Sequence, residues 1–279
     1  MIYHAVNQIS EGVSMDLSKK ARQIRKTIVE MIYRANFGHV GGALSVTDII
    51  VDLYYKQMNI SPENVTSPDR DRFILSKGHA VEALYAVLAD KNFIPREDLL
   101  TYSQFGSNYM CHPTNKISGI EMNTGSLGHG LGVGIGMALA GKMDNKNFRV
   151  YVVLGDGELA EGSVWEAAMA GSHYKLDNLT AFVDRNRLQM TGSTESVMAL
   201  DDLAARWNSF GWNVLSIDGN DIEAVDAAIS LAKKTSGKPT VIIANTVKGK
   251  GVSFMENRAE WHHKVPNAEQ FAKAMEELS

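Results

Sequence analysis

Residues 152–168 read VVLGDGELAEGSVWEAA: an apolar run ends in Gly155-Asp156-Gly157, and an acidic, alanine-rich segment follows. A turn at the end of a buried strand needs one glycine. Two glycines around a lone carboxylate also leave room for a ligand to approach the backbone, and Asp156 is the contact it would find. A second apolar stretch ends in Asp184-Arg185-Asn186. Asp156 and Asn186 would leave neighbouring strands at one sheet edge, and a carboxylate and an amide oxygen converging there make a hard-cation site of the kind magnesium prefers, with few protein oxygens and positions left for phosphate and water. The flanking glycines would let a diphosphate reach the backbone amides at the start of the next helix. Taken alone, the tripeptide favours a plainer reading, Asp156 as a helix cap, because short motifs match often by accident.

The elements that must position these residues follow a regular rhythm. Leu17, Ala21, Ile24, Ile28, Met31 and Ala35 recur at helical spacing, with Lys19, Lys20, Arg22 and Arg25 off the stripe. A second helix is expected after Thr47, through Ile50, Leu53 and Tyr54, and a short strand at Arg72–Leu75 opens into a helix near His79. From Arg149 onward RVYVVL, LTAFVD, WNVLSI and PTVIIANTV read as strands. The segments SVWEAAMAGSHYK, DDLAARWNSF and DIEAVDAAISLAKKT between them read as helices, and NAEQFAKAMEEL is a last helix capped by Asn267. This alternation predicts an α/β fold, a parallel sheet with helices on both faces. Ligands of such sheets bind beyond the carboxyl ends of the strands, where Gly155-Asp156-Gly157, Asp184-Arg185-Asn186, DGNDI and NTVKGKG all fall. No repeat, low-complexity tract or long linker interrupts the chain, so residues 1–279 are expected to form a single domain.

Composition narrows the partners. The 279 residues are 44% hydrophobic and 22% charged with a formal net charge of -4, signs interspersed, which argues against a nucleic-acid or anionic-membrane surface. The single cysteine, Cys111, excludes an intrachain disulfide framework and fits a reducing compartment. No apolar run reaches the roughly 18 residues of a membrane span, and the N-terminus lacks a signal-peptide core. A cytoplasmic protein is expected. His4 and His173 are read as structural.

Six ordered blocks carry a resemblance. GHVGGALS (38–45), RDRFILSKGHA (70–80), CHP (111–113), TGSLGHGLGVGIGMA (124–138), TVKGKG (246–251) and WHHK (261–264) join GDGELAEG…DRNRLQMTG in chain order. Together they resemble the transketolase family over nearly the whole chain, and only the N-terminal part of a full-length member. The chain therefore resembles the N-terminal subunit of a split transketolase, with the thiamine diphosphate-binding fold. The resemblance implies thiamine diphosphate as cofactor with Mg2+ or another divalent cation such as Ca2+, sugar substrates, and transfer of a two-carbon ketol unit. It also implies a separate C-terminal subunit carrying the pyrimidine-binding domain, with two copies of each chain, and no activity of this chain alone. Another thiamine enzyme, such as a deoxyxylulose-phosphate synthase, would share Asp156 and Asn186. So would a specialised transketolase for an unusual or sulfonated sugar.

Matched position by position, the resemblance implies Asp156, Asn186 and the Leu188 carbonyl as metal ligands. Gly42, Gly157 and the Gly125, Ser126 and Leu127 turn would contact the cofactor, and Lys248 would face the diphosphate, unless it is a solvated loop lysine. His39 and His112 match histidines at the donor's reacting carbonyl and hydroxyls, His79 one at the cofactor, and His262 one touching both. Imidazoles suit the proton transfers that ketol chemistry needs near neutral pH. Glu161 and Glu166 fall where the family places a glutamate at the subunit interface. Three positions depart from the pattern: Gly42 falls where serine is common, His129 replaces a common glutamine, and His263 replaces the glycine of Trp-His-Gly-Lys. The His263 side chain is either merely tolerated or narrows the substrate channel. Cys111, beside His112, is read as an ordinary thiol. The alternating glycines 128 to 136 are expected mostly to allow close packing on the sheet.

Overall fold

Each strand of the sheet is apolar at successive positions because both of its faces are covered. The computed structural model describes residues 15–279; His4 and the N-terminal stretch lie outside them. The chain enters through α1 (Leu17–Ala35) and α2 (Val40–Asp52), which continues into a wider turn at Leu53–Gln57. Then come β1 (Arg72–Leu75), α3 (Val81–Asp90), α4 (Gly130–Met143), β2 (Val150–Gly155), α5 (Gly162–His173) and β3 (Leu179–Arg185). A small hairpin, β4 (Leu188–Gln189) and β5 (Gly192–Ser193), leads to α6 (Thr194–Val197) and α7 (Leu203–Ser209). The chain closes with β6 (Asn213–Asp218), α8 (Ile222–Lys234), β7 (Thr240–Asn245) and α9 (Ala268–Glu277).

The main sheet has the order β1-β2-β3-β7-β6 and every pairing is parallel. Alternate residues of β2 serve opposite cores. Tyr151 and Val153 pack with α1, α2, α3 and α8, whereas Val150, Val152 and Leu154 pack with α4, α5 and α7. Gly134 on α4 shows how tight the second contact is, since a Cβ there would lie 2.5 Å from Val152. Gly132 and Gly136 face open space instead, so only part of the glycine series serves packing. In register, Gly155 of β2 lies beside Asp184 of β3, and Arg185 beside Asn245 of β7. That alignment brings the GDG, DRN and NTVKGKG segments to one edge.

The expected strands and the α1 stripe match the observed elements, and α9 carries a reciprocal Asn267–Gln270 capping box. α2 differs: it begins at Val40, not after Thr47. All its residues are buried, so it shows no amphipathic stripe to mark its start. A Cβ at Gly41 would lie 2.7 Å from the Trp261 carbonyl oxygen, so glycine lets the two backbones meet. The GDG tripeptide does not run straight into a helix either. A single 3-10 turn, Gly157–Ala160, precedes α5. β4, β5 and α6 have no counterpart among the expected elements. Among the described residues, no helix is long and apolar enough to cross a membrane.

Candidate active site

At the carboxyl edge of the sheet lies a cavity of about 320 Å³. Asp156 enters it from the end of β2, buried, with Oδ1 accepting from the Gly157 amide (2.8 Å) and Oδ2 from the Arg187 amide (2.6 Å) and Arg185 Nη1 (3.3 Å). The carboxylate thus does cap its own turn, as the plainer reading held, and also faces the cavity. Burial and the neighbouring Asp184 push its pKa up, while these donors pull it back. Asn186 Oδ1 accepts from the Leu188 amide (3.1 Å), and the Leu188 carbonyl accepts from Lys248 Nζ (3.0 Å). Lys248 is only 2% exposed, so it is not a solvated loop lysine. Burial, reinforced by Lys77, pulls its pKa down to about 8, which leaves it an ammonium at neutral pH.

Beneath the cavity is a buried polar floor. Asp184, fully buried, accepts from Lys77 Nζ (2.5 Å), Ser45 Oγ (2.6 Å) and Thr246 Oγ1. Lys77 also donates to the Gly42 carbonyl (3.1 Å), which joins α2 to the sheet. Glu158 ties the loops together: it accepts from the Gly128 amide (2.8 Å), the Gly155 amide (2.9 Å) and Ser76 Oγ. These groups are satisfied by several partners, as buried charge requires.

The histidines arrive from four separate segments. His39 stands at the start of α2, its amide donating to Glu82 Oε1 (2.8 Å), an oxygen that Tyr102 also reaches (2.7 Å). Its Nδ1 is buried without a hydrogen-bond partner among the described residues. The ring lies 5.4 Å from that of His79, 5.8 Å from His262, 6.3 Å from His112 and 4.7 Å from His263. His79 and His262 stack at 5.3 Å, and His262 Nδ1 is 2.9 Å from Lys248 Nζ. Desolvation, with Lys248 and neighbouring imidazoles adding to it, pulls His39 down to about 4 and His262 to about 3. Desolvation likewise holds His79 well below its ordinary value and lowers His112. At neutral pH these rings are uncharged, so each offers one donor and one acceptor.

One cavity thus collects Asp156, Gly157, Asn186, Leu188, Lys248, Gly42, Gly125, Leu127, His39, His79 and His262. His112 stands at its edge beside Gly125, where a Cβ would come within 3.1 Å of the ring and φ is +150°. Ser126 is not in this group; it lines a neighbouring hollow with His129. Glu161, Glu166 and His173 are exposed. Cys111 Sγ meets His112 Nδ1 (3.3 Å), so the neighbours are paired in space as well as in sequence. Burial pushes the thiol's pKa up, so it remains a protonated, ordinary thiol. Lys77, Glu82, Glu158 and Asp184 had no functional reading in the sequence. Lys77 and Glu158 nevertheless sit inside the SKGHA and GDGE blocks, which was the signal that could have found them.

Oxygen donors, a buried ammonium and glycine-backed turns at the carboxyl edge of a parallel sheet define a class: an α/β domain that receives a phosphorylated cofactor. Within that class the chain belongs to the transketolase family, residues 17–278 matching the model of the transketolase thiamine diphosphate binding domain. It is 50% identical over 263 residues to an apulose-4-phosphate transketolase subunit of Phocaeicola vulgatus, covering 94% of each chain. It is 43% identical over 265 residues to a 6-deoxy-6-sulfo-D-fructose transketolase subunit of a Clostridium species, covering 95% of this chain and 96% of that one. The Campylobacter jejuni transketolase structure superposes with a TM-score of 0.88 at 31% identity, over 95% of this chain and 43% of that one. The chain thus spans less than half of that full-length transketolase and nearly all of the two subunits.

Proposed function

We propose that this chain is the cofactor-binding subunit of a two-chain transketolase, moving a two-carbon ketol unit from a ketose to an aldose. The observation that carries the reading is the convergence of Asp156, Asn186, the Leu188 carbonyl and Lys248 with the imidazoles on one cavity. The residues fit thiamine diphosphate and a divalent cation. The three donors are hard oxygens suited to Mg2+, and a cation, Lys248 Nζ, already lies on one of them. Gly42 and Gly157 border the cavity without side chains of their own, and a Cβ at Gly157 would crowd Gln189 at 3.2 Å. Asp156, Asn186 and Leu188 would hold the metal, and Lys248 would face the diphosphate. Bound there, the cofactor supplies a nucleophilic carbon and an electron sink for the ketol fragment. His39 and His112, neutral and able both to donate and accept, would exchange protons with the donor's hydroxyl and carbonyl oxygens. His79 and His262 would line the cofactor side.

Relatives that are themselves named as transketolase subunits support a partner for this chain, and two copies of each in a cytoplasmic assembly is part of the proposal. The relatives named for apulose-4-phosphate and sulfofructose make phosphorylated or sulfonated ketose analogues the donors to try first. The test mixes the purified chain with Mg2+, thiamine diphosphate and a ketose–aldose pair, with and without the candidate partner. Ketol transfer is expected only in the mixture. Substantial transfer by the single chain, or pyruvate decarboxylation in place of ketol transfer, overturns the reading.

A further inference from the structure

His263 has no part in the chemistry above, yet its ring is the nearest of the surrounding imidazoles to His39, at 4.7 Å. It meets the edge of Phe37 at 4.9 Å, and Phe37 in turn stands edge-on to His39 at 6.4 Å. The three rings form a corner. His39, which borders the cavity, is its inner member; Phe37 is half-buried and His263 is exposed, so the corner opens outward. Among the described residues none hydrogen-bonds His39 Nδ1, so packing by these neighbours sets the tilt of that ring.

This corner pairs an apolar face with an imidazole that can donate or accept, a combination matched to a chain of CH–OH groups. His263 does not border the cavity itself but lies beyond His39, so a two-carbon fragment placed beside His39 would end short of it. The remaining carbons of a ketose, which leave as the product aldose, are long enough. We propose that His263, backed by Phe37, is a specificity-determining residue that contacts the hydroxylated carbons of the donor beyond the transferred pair. The proposal rests on the transketolase reading and adds to it a preference for polyol-bearing donors.

The experiment uses the assembled two-chain enzyme and two kinds of donor. Hydroxypyruvate delivers the same two-carbon unit with only a carboxylate beyond it, and a ketose phosphate carries the full polyol. His263→Gly is expected to lower kcat/KM for the ketose phosphate by about tenfold, mostly through KM, the worth of one hydrogen bond to a hydroxyl. Activity with hydroxypyruvate and thiamine diphosphate affinity should stay within about twofold of the parent. His263→Asn, which keeps a donor and an acceptor, should recover part of the loss, and Phe37→Ala should reproduce it. Equal losses with both donors would assign the ring a purely structural role beside His39 and overturn the proposal, as would no loss with either. If the parent assembly transfers ketol from neither donor, the transketolase reading itself fails and this proposal falls with it.

Discussion

Replacing Asp184 by asparagine keeps the side chain's shape and removes the anion that Lys77 Nζ meets at 2.5 Å. The pair is sealed from water, with side chains 2% and 0% exposed, so the stranded ammonium cannot recover its hydration. Lys77 would keep only the Gly42 carbonyl at 3.1 Å. Breaking a buried ion pair from one side costs about 3–5 kcal/mol. Asparagine can still accept from Ser45 or Thr246, so the lower end, about 3 kcal/mol, is expected. Domains are typically stable by about 5–15 kcal/mol, so the variant should fold and unfold at clearly lower urea concentration. Adding Lys77→Met removes the stranded charge and should restore about 1–2 kcal/mol relative to the single variant. Urea unfolding followed by circular dichroism reads all three proteins. A loss under about 1 kcal/mol for Asp184→Asn, or no recovery in the double variant, refutes the view of this floor as a charge pair held by mutual need.

Asp156→Ala should abolish magnesium-dependent thiamine diphosphate binding to the assembly while leaving the fold intact, because Arg185 retains Thr194 (2.7 Å) and Glu195 (2.5 Å); calorimetry showing unchanged affinity contradicts this. Asp52 is buried, neither of its oxygens has a hydrogen-bond partner among the described residues, and burial, with Asp226 adding and Lys56 and Lys233 opposing, pushes it up to about 7 from 3.8. Its folded-state pKa lies above the unfolded one, so its stabilising contribution is complete below about pH 4 and declines as pH rises to about 7, by at most about 4 kcal/mol. Asp52→Asn should flatten that slope in melts taken between pH 5 and 8, and an unchanged slope assigns it to other groups. Gly134→Ala puts a Cβ 2.5 Å from Val152 and should cost about 1–3 kcal/mol, whereas Gly136→Ala, facing open space, should not; equal melting temperatures for the two would show that α4 shifts freely on the sheet.

The sheet was legible because strands covered on both faces leave continuous Val- and Ile-rich runs, and β1 falls at the expected Arg72–Leu75. α2 was misplaced for a related reason, since a helix buried on every side has no polar face to set its phase. The hairpin and α6 were missed because strands two residues long leave no periodic signal. For the site, residues at strand ends could be gathered in advance, because parallel register forces those ends together. The pairing within the polar floor was not legible, although Lys77 lies in the SKGHA block and Asp184 at a strand end. Lys77 and Asp184 are 107 positions apart in the chain, and their types alone suggest solvated surface. Sequence likewise cannot tell which face of a turn a side chain takes, as the outward Ser126 between Gly125 and Leu127 illustrates.

α2 has one consequence for how such a protein can diversify. All 13 of its residues are buried, and His39, the residue that caps its start, stands at one end of the cavity. A saturation-mutagenesis map should show intolerance along most of that helix, because substitutions there meet packed neighbours, with Gly42, which borders the cavity, the exception. Phe37, Met190 and His263 lie at less enclosed positions around the same site. New sugar preferences are therefore expected to be written at this rim, one side chain at a time, while the wall that carries His39 stays fixed through lineages of differing substrate.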